Sequence, residues 1–311
     1  MSNSQKNSFN QSQGDLLVIG DLCIDVDVFT GQGDYNSRRS SRISLSEGGS
    51  AGNVAFMANR LGLEIGLAAP LSDDPMGKLL ESIIRQRHET INFYTITDPN
   101  QLTCFIVNLI NKRGVRKAYF QKNEANCRLD SLQNVASNYK AIHMSGYVLE
   151  QFDISEIEKF VHEVKSHSVE VSLDLFPRIK SACESEPQIY RLLDQLDLLI
   201  GNIKEYRDLT GLSRSKDIMQ FFTKRGMRIV IKMGSKGSIY ADPTTLITSP
   251  PLRVKPVSLK GAGDVFIAGF LASHLKGSNI QEALKTANKL AGMHIAGKDD
   301  QISPIMINIQ D

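Results

Sequence analysis

The chain has 311 residues, with 36 Lys and Arg against 34 Asp and Glu and a formal charge of +2. That balance argues against a general nucleic-acid or polyanion binder, which carries a strong basic excess. With 41% hydrophobic and 23% charged residues, wholesale disorder is excluded, and a chain this long buries a sizeable core without staples. The four cysteines, Cys23, Cys104, Cys127 and Cys183, lack the spacing of a zinc ribbon or thioredoxin motif and read as reduced thiols. No apolar run approaches the roughly 18 residues of a membrane span. Residues 1–14, rich in Ser, Asn and Gln, read as a flexible tail and not as a signal peptide. A cytoplasmic protein with neither a membrane nor a nucleic-acid partner is expected.

In chain order, the apolar run 16–20 ends in Gly20 and reads as a doubly covered central strand. Residues 25–29 alternate polar and apolar, as a half-exposed strand does, and 31–41 read as a polar loop. A helix is predicted over 53–61 with Gly62 as its stop, then a strand over 65–69 and a helix over 75–86. Residues 103–109 and 115–120, joined by a turn at 111–114, predict a β-hairpin inserted into the α/β pattern. Strands at 141–144, 169–173, 198–200 and 229–231 then alternate with helices at 154–166, 189–195, 204–210 and 215–225. That alternation predicts a mostly parallel, doubly wound sheet, with ligands beyond the carboxyl ends of its strands.

Four segments could carry chemistry. Gly261-Ala262-Gly263-Asp264 opens an apolar helix that Gly277 stops. Free backbone N–H groups at a helix start bind anions, and glycine lets a phosphate approach the backbone. Asp264 beside that anion could take the proton of a hydroxyl, or be no more than an acid favoured by the helix dipole. Gly48-Gly49-Ser50-Ala51-Gly52-Asn53 permits close approach of a ligand, or is a loop capped by Asn53. Asn202 and Glu205 could position hydrated Mg²⁺ near phosphates, or form a capping pattern. The segment 232–237, with Gly234 and Gly237, is either a nucleotide-lining loop or a hairpin turn. Asp174 ends a strand, where ligand groups tend to lie, and could equally cap the next segment. His143, in an apolar strand, reads as a core residue, and the histidines show no metal-ligand grouping.

In this order and at this separation, the Gly48–Gly62 and Gly261–Gly269 blocks, with Asn202-x-x-Glu205 and Gly234-x-x-Gly237 between them, resemble the PfkB, or ribokinase-like, family of carbohydrate kinases. The resemblance implies a Rossmann-like three-layer α/β/α sandwich over residues 15–311, with a small β-sheet lid from about 27–46 and 103–120. It implies transfer of the γ-phosphoryl group of ATP, with Mg²⁺, to a hydroxymethyl-type alcohol of a sugar or nucleoside. By matching positions, Asp264 is the general base and the backbone of Gly261, Ala262 and Gly263 is the anion hole. Asp25, Gly49 and Asn53 match sugar contacts. Asn202 and Glu205 match the Mg²⁺–phosphate region, and Gly234, Gly237 and Asn288 the nucleotide site. A homodimer paired through the lid is part of the same expectation.

Two departures qualify the resemblance. Ser258-Leu259-Lys260 stands where the family usually has Asp-Thr-Thr, a stretch that in many members helps to build a monovalent-cation site. Either the Lys260 ammonium supplies that charge, or it points into solvent. Ser145-Gly146-Tyr147, Asp174 and Arg178 look more like fructokinase and keto-deoxy-gluconate kinase relatives than ribokinase, although Phe176 replaces an expected Asn and Cys23 an expected polar sugar contact. The alternatives are a nucleoside kinase and a non-catalytic sugar or nucleotide sensor on the same fold. A dinucleotide-dependent oxidoreductase is disfavoured, because no phosphate fingerprint follows the first strand.

Overall fold

The structure is a computed structural model, and it describes residues 13–30, 40–96, 102–111, 116–120 and 128–307. Its strands are β1 Gly14–Ile19, β2 Cys23–Thr30, β3 Ser40–Gly48, β4 Ile65–Pro70, β5 Asn92–Ile96, β6 Phe105–Ile110, β7 Arg116–Phe120, β8 Tyr139–Met144, β9 Glu170–Asp174, β10 Leu198–Asn202, β11 Arg228–Lys232, β12 Ser238–Ala241 and β13 Leu246–Ser249. Nine of them form one sheet in the order β13-β12-β11-β10-β9-β8-β1-β4-β5. It is parallel from β5 to β11 and antiparallel at the β12 and β13 edge. The chain leaves β1 toward β4 and β5 on one side and returns through β8 to β11 on the other, which opens a crevice at the carboxyl ends beside β1.

The two-residue period of a strand accounts for the layering. Leu17 and Ile19 of β1 join one core with Ile142, Leu173, Leu199 and Ile231, under helices such as Ile154–Ser166. Leu16 and Val18 join the other with Leu67, Ile200 and Val230, under helices Ser50–Arg60, Ala262–Leu275 and Ile280–Ile295. Both faces of β1 are fully buried, hence its unbroken apolar run. Helix Ala262–Leu275 is buried at every residue from Val265 to Ser273, as its all-round apolar sequence requires.

A second, four-stranded sheet in the order β3-β2-β6-β7 forms the lid. Its register places Asp25, Asp27, Ile106, Asn108, Ala118 and Phe120 on one face and Ile43, Leu45 and Tyr119 on the other. The lid runs wider than the expected 27–46, because β2 begins at Cys23 and β3 continues to Gly48. Thr103 falls outside β6: its N–H and hydroxyl donate to the Asp74 carboxylate at 2.9 and 2.6 Å instead. The predicted turn over 111–114 lies almost wholly outside the described residues, as do 31–39 of the predicted loop. The first strand starts at Gly14, inside the expected tail. Helix Ser50–Arg60 starts three residues before the predicted 53, so Asn53 lies in its first turn and does not cap it. β3, β5 and β13 escape the residue-by-residue reading: β3 opens at Ser40 and Ser41, the end of the predicted loop, and β13 is a four-residue edge strand with Leu246 exposed. Among the described residues no helix is long and apolar enough to cross a membrane.

Candidate active site

A cavity of about 1200 Å³ lies between the lid and the carboxyl ends of the main sheet. Every site residue expected from sequence borders it: Asp25, Gly49 and Asn53; Gly261, Ala262, Gly263 and Asp264; Asn202, Glu205, Gly234, Gly237 and Asn288.

The turn before helix Ala262–Leu275 sets the geometry. Gly261 is its N-cap at φ 76°, a left-handed conformation that glycine takes without strain. No side chain caps this helix; the Ala262 N–H reaches the Leu259 carbonyl at 3.4 Å, and the Gly263 and Asp264 N–H groups that follow could meet an anion. Asp264 sits in the first turn with both carboxylate oxygens held by helix Ser50–Arg60. Ser50 Oγ donates to Oδ1 at 3.0 Å and Asn53 Nδ2 to Oδ2 at 2.8 Å. Burial pushes the Asp264 carboxyl up to about 6, against the hydrogen bonds of Asn53 and Ser50 and the nearby Lys232 ammonium. The group therefore stays mostly ionised at neutral pH while binding a proton more readily than an ordinary aspartate.

Helix Ser50–Arg60 is itself placed by Asp21, a residue that sequence reasoning missed. Gly49, its N-cap at φ 99°, has no side chain to cap with. Asp21 Oδ2 accepts the Ser50 N–H at 2.8 Å, and Oδ1 accepts the Ser145 hydroxyl at 2.7 Å. A Cβ on Gly49 would lie 2.4 Å from the Asp21 carbonyl oxygen, so the close approach of these two segments requires glycine there.

Lys232 opens the segment 232–237 that the sequence flagged as a whole, but it was not singled out there. It ends β11, and a Cβ on Gly263 would lie 3.3 Å from its Nζ, so the ammonium stands over the turn that opens helix Ala262–Leu275. It faces three acids. Asp174, at the end of β9, accepts the Gly146 N–H at 2.9 Å. Burial drives its carboxyl up to about 8, eased by Lys232 and reinforced by the Asp264 charge. Burial also raises Glu205, again eased by Lys232. The available signal was a lysine closing an otherwise apolar strand at the sheet's carboxyl end.

Asn202 and Glu205 form a full capping box on helix Ile203–Thr210. The Asn202 side chain accepts from Lys204 and Glu205 N–H, and Glu205 Oε2 accepts the Asn202 N–H at 2.7 Å. Capping and cavity lining coincide here. Likewise the segment 232–237 is both a tight connection between β11 and β12 and part of the cavity wall. Asn288 Nδ2 donates to Ser238 Oγ and to the Ser249 carbonyl at 2.8 and 3.2 Å, which ties the helix to that wall.

Lys260 does not point into solvent. Its Nζ lies 2.9 Å from Asp25 Oδ2 and 3.3 Å from Asp27 Oδ1, with Asn108 Nδ2 donating to Asp27 at 2.6 Å. His143 is a core residue as expected, 2.9 Å from Ser172 Oγ, and burial lowers its imidazole to about 3. Arg178 pairs bidentately with Glu150 at 2.8 and 2.6 Å on the far cavity wall.

A helix start without a side-chain cap, an ammonium over it and a restrained carboxylate beside it suit phosphoryl transfer to an alcohol. The pfkB family carbohydrate kinases match residues 13–306. The chain belongs to that family, and it is a phosphotransferase with an alcohol acceptor. Among similar proteins are the 5-dehydro-2-deoxygluconokinase of Bacillus subtilis, 25% identical over 306 residues (94% of this chain, 93% of that one), and that of Listeria innocua, 26% identical over 314 residues (93% and 92%). Among solved structures, a PfkB protein from Polaromonas superposes with a TM-score of 0.79 at 20% identity (95% and 99% covered). Arabidopsis thaliana ribokinase complexed with ribose and ATP superposes at 0.76 and 19% identity (96% and 99%). These likenesses establish a ribokinase-like fold with a separate lid sheet.

Proposed function

We propose that the protein transfers the γ-phosphoryl group of ATP to a hydroxymethyl-type hydroxyl of a small sugar or sugar acid, with Asp264 as general base. The observation that carries this reading is the Asp264 carboxylate, fixed by Ser50 and Asn53 beside the uncapped Gly261–Gly263 turn. The acceptor lies under the lid against Asp25, Gly49 and Asn53, where its hydroxyl reaches Asp264. The nucleotide lies along Asn202, Gly234, Gly237 and Asn288, with its terminal phosphate toward the turn and Lys232. As the alcohol's oxygen bonds to phosphorus, its proton passes to Asp264, and the N–H groups of the turn take up the phosphoryl charge. The lid excludes water, a competing acceptor.

The residues fit a divalent cation held mainly through phosphates. Three carboxyl groups, Asp174, Glu205 and Asp264, face one ammonium, and burial raises all three, so the charge of a divalent cation would favour their ionised forms. Among the described residues no cluster of three or more metal-ligating side chains exists, which suits Mg²⁺, an ion that keeps several waters. When bound, Mg²⁺ would supply charge neutralisation to the phosphates, and Glu205 and Asn202 are the residues that would hold it.

The lid's outer face exposes Ile43, Leu45 and Tyr119 at 61, 56 and 50%, which supports pairing of two chains through the lid; light scattering at the monomer mass would exclude it. The similarity to 5-dehydro-2-deoxygluconokinases supports a keto sugar acid as acceptor. Product analysis by ³¹P NMR after incubation with ATP, Mg²⁺ and 5-dehydro-2-deoxygluconate, ribose or adenosine tests this. A sugar-acid phosphate is the expected product, and phosphorylation of adenosine alone would overturn the choice of acceptor.

Two solution properties follow. General-base function requires ionised Asp264, so kcat/KM is expected to fall about tenfold per pH unit as the pH drops below about 6, where this carboxyl takes up its proton. A rate unchanged down to pH 4.5 would contradict the role. Ser258-Leu259-Lys260 offers no acidic side chain to a monovalent cation, so the rate is expected to be the same in K⁺ and in tetramethylammonium buffers. A marked K⁺ dependence would contradict this.

A further inference from the structure

His294 lies in the last turn of helix Ile280–Ile295. Its two ring nitrogens meet two oxygens that only accept hydrogen bonds. Nδ1 is 2.7 Å from Asp299 Oδ1, and Nε2 is 2.6 Å from the backbone carbonyl oxygen of Lys260. A neutral imidazole has one N–H and one lone pair. In that form one of the two contacts would set lone pair against lone pair at hydrogen-bond distance. The imidazolium, with two N–H donors, satisfies both. Asp299 is 43% exposed and keeps water about its carboxylate, so the proton belongs to the ring.

The position of this cation gives it consequence. A Cβ built on Gly261 would lie 3.1 Å from His294 Nε2, so the ring packs against the N-cap of the anion-binding helix. We propose that His294 is held as an imidazolium and serves as a fixed positive charge behind the Lys260–Gly261 peptide, positioning the anion hole for the transferred phosphoryl group. The positioning role rests on the kinase reading above; the ring's charge does not.

The charge suits one helix and not the other. It lies at the C-terminal end of its own helix, where a cation is favoured, and at the N-terminal end of helix Ala262–Leu275, where it is not until an anion arrives. Stability alone would not place a cation at this second end, whereas binding a developing phosphoryl charge would. The other charged groups around the ring have partners of their own. Lys260 Nζ turns away to Asp25 and Asp27. Glu47 pairs with Arg87 and His88 across the adjoining cavity. Arg60 Nε donates to the Ile302 carbonyl at 3.1 Å. Asp264, on the anion-binding helix, is bonded to Ser50 and Asn53. Asp299 is thus the carboxylate that holds the ring's proton. The lysine side chain that the sequence offered as the built-in cation serves the acceptor pocket, and it is the lysine's carbonyl that receives the charge of His294.

The test pairs a spectroscopic readout with kinetics on the full-length chain. In ¹⁵N-histidine-labelled protein without ligands, the His294 signals, assigned by their loss in His294→Gln, are expected to show both ring nitrogens protonated at pH 7. Glutamine keeps an N–H for the Lys260 carbonyl but carries no charge. His294→Gln should therefore lower kcat roughly tenfold, well short of the loss from removing a direct oxyanion donor. KM for the acceptor should stay within about twofold, since the ring touches the anion-hole peptide and not the acceptor pocket. A neutral ring at pH 7 would overturn the proposal, and an unchanged kcat in His294→Gln would overturn the positioning role. If His294→Gln fails to fold, Asp299→Asn decides, because unchanged ring protonation in it contradicts the pairing. If no acceptor supports turnover, the kinase reading and the role at the turn fall together, and NMR still reads the charge.

Discussion

Asp264→Asn is expected to lower kcat by about 10²–10⁴-fold, the usual contribution of a general base, with KM for both substrates nearly unchanged. The asparagine retains an oxygen for Ser50 or Asn53, so the turn keeps its shape while the proton acceptor is lost. The same substitution is expected to raise the melting temperature of the ligand-free protein at pH 8. The sign follows from linkage. Burial raises the folded-state carboxyl to about 6, above its unfolded value near ~4, so the folded state binds the extra proton and its ionised form is penalised. That penalty is absent below the unfolded value, grows as the pH rises and is fully present above about 6. Steady-state kinetics and a thermal melt at pH 8 check both halves. A variant with near-normal kcat would remove Asp264 from the chemistry.

Lys232→Met is expected to cost roughly 10²–10³-fold in kcat/KM, the scale seen when a charge-stabilising donor is removed from a dry site. The lysine Nζ stands over Gly263 and eases the charge of Asp174, Glu205 and Asp264 together. Its loss therefore has a second signature. With the ammonium gone, the Asp264 carboxyl rises further, and the acid limb of the pH–rate profile moves above its wild-type position near pH 6. A lower rate with an unmoved limb would mean that Lys232 acts on the nucleotide alone.

The difference between Asp264 and Lys232 shows what a single sequence discloses. The Gly261-Ala262-Gly263-Asp264 turn was legible as a structure because its features are local: glycine at a positive φ, an uncapped helix start and the carboxylate all fall within one helical turn. The parallel sheet was legible because strand period and strand–helix alternation are also local patterns. Lys232 gains its role from lying over a turn 31 residues further along, and Asp21 from capping a helix 29 residues away. Neither neighbourhood names the partner, and Lys232 stands out only as a lysine closing an otherwise apolar strand. Asn202 and Glu205 fit two readings, and the structure realises both, since a capping box at the end of β10 is also cavity wall. The destination of the Lys260 ammonium was open in sequence, because the register that brings Asp25 and Asp27 beneath it belongs to the lid sheet. The start of helix Ser50–Arg60 was read too late because its cap comes from Asp21 and not from a residue of its own segment.

The most direct test of the account is acceptor-dependent ADP release from ATP and Mg²⁺, with wild type and Asp264→Asn measured side by side on a panel of sugars, sugar acids and nucleosides. The account predicts turnover with a sugar or sugar acid by the wild type, abolished by the substitution while nucleotide binding persists. Clear nucleotide binding with no ADP release from any acceptor, or equal release by the two proteins, would contradict it.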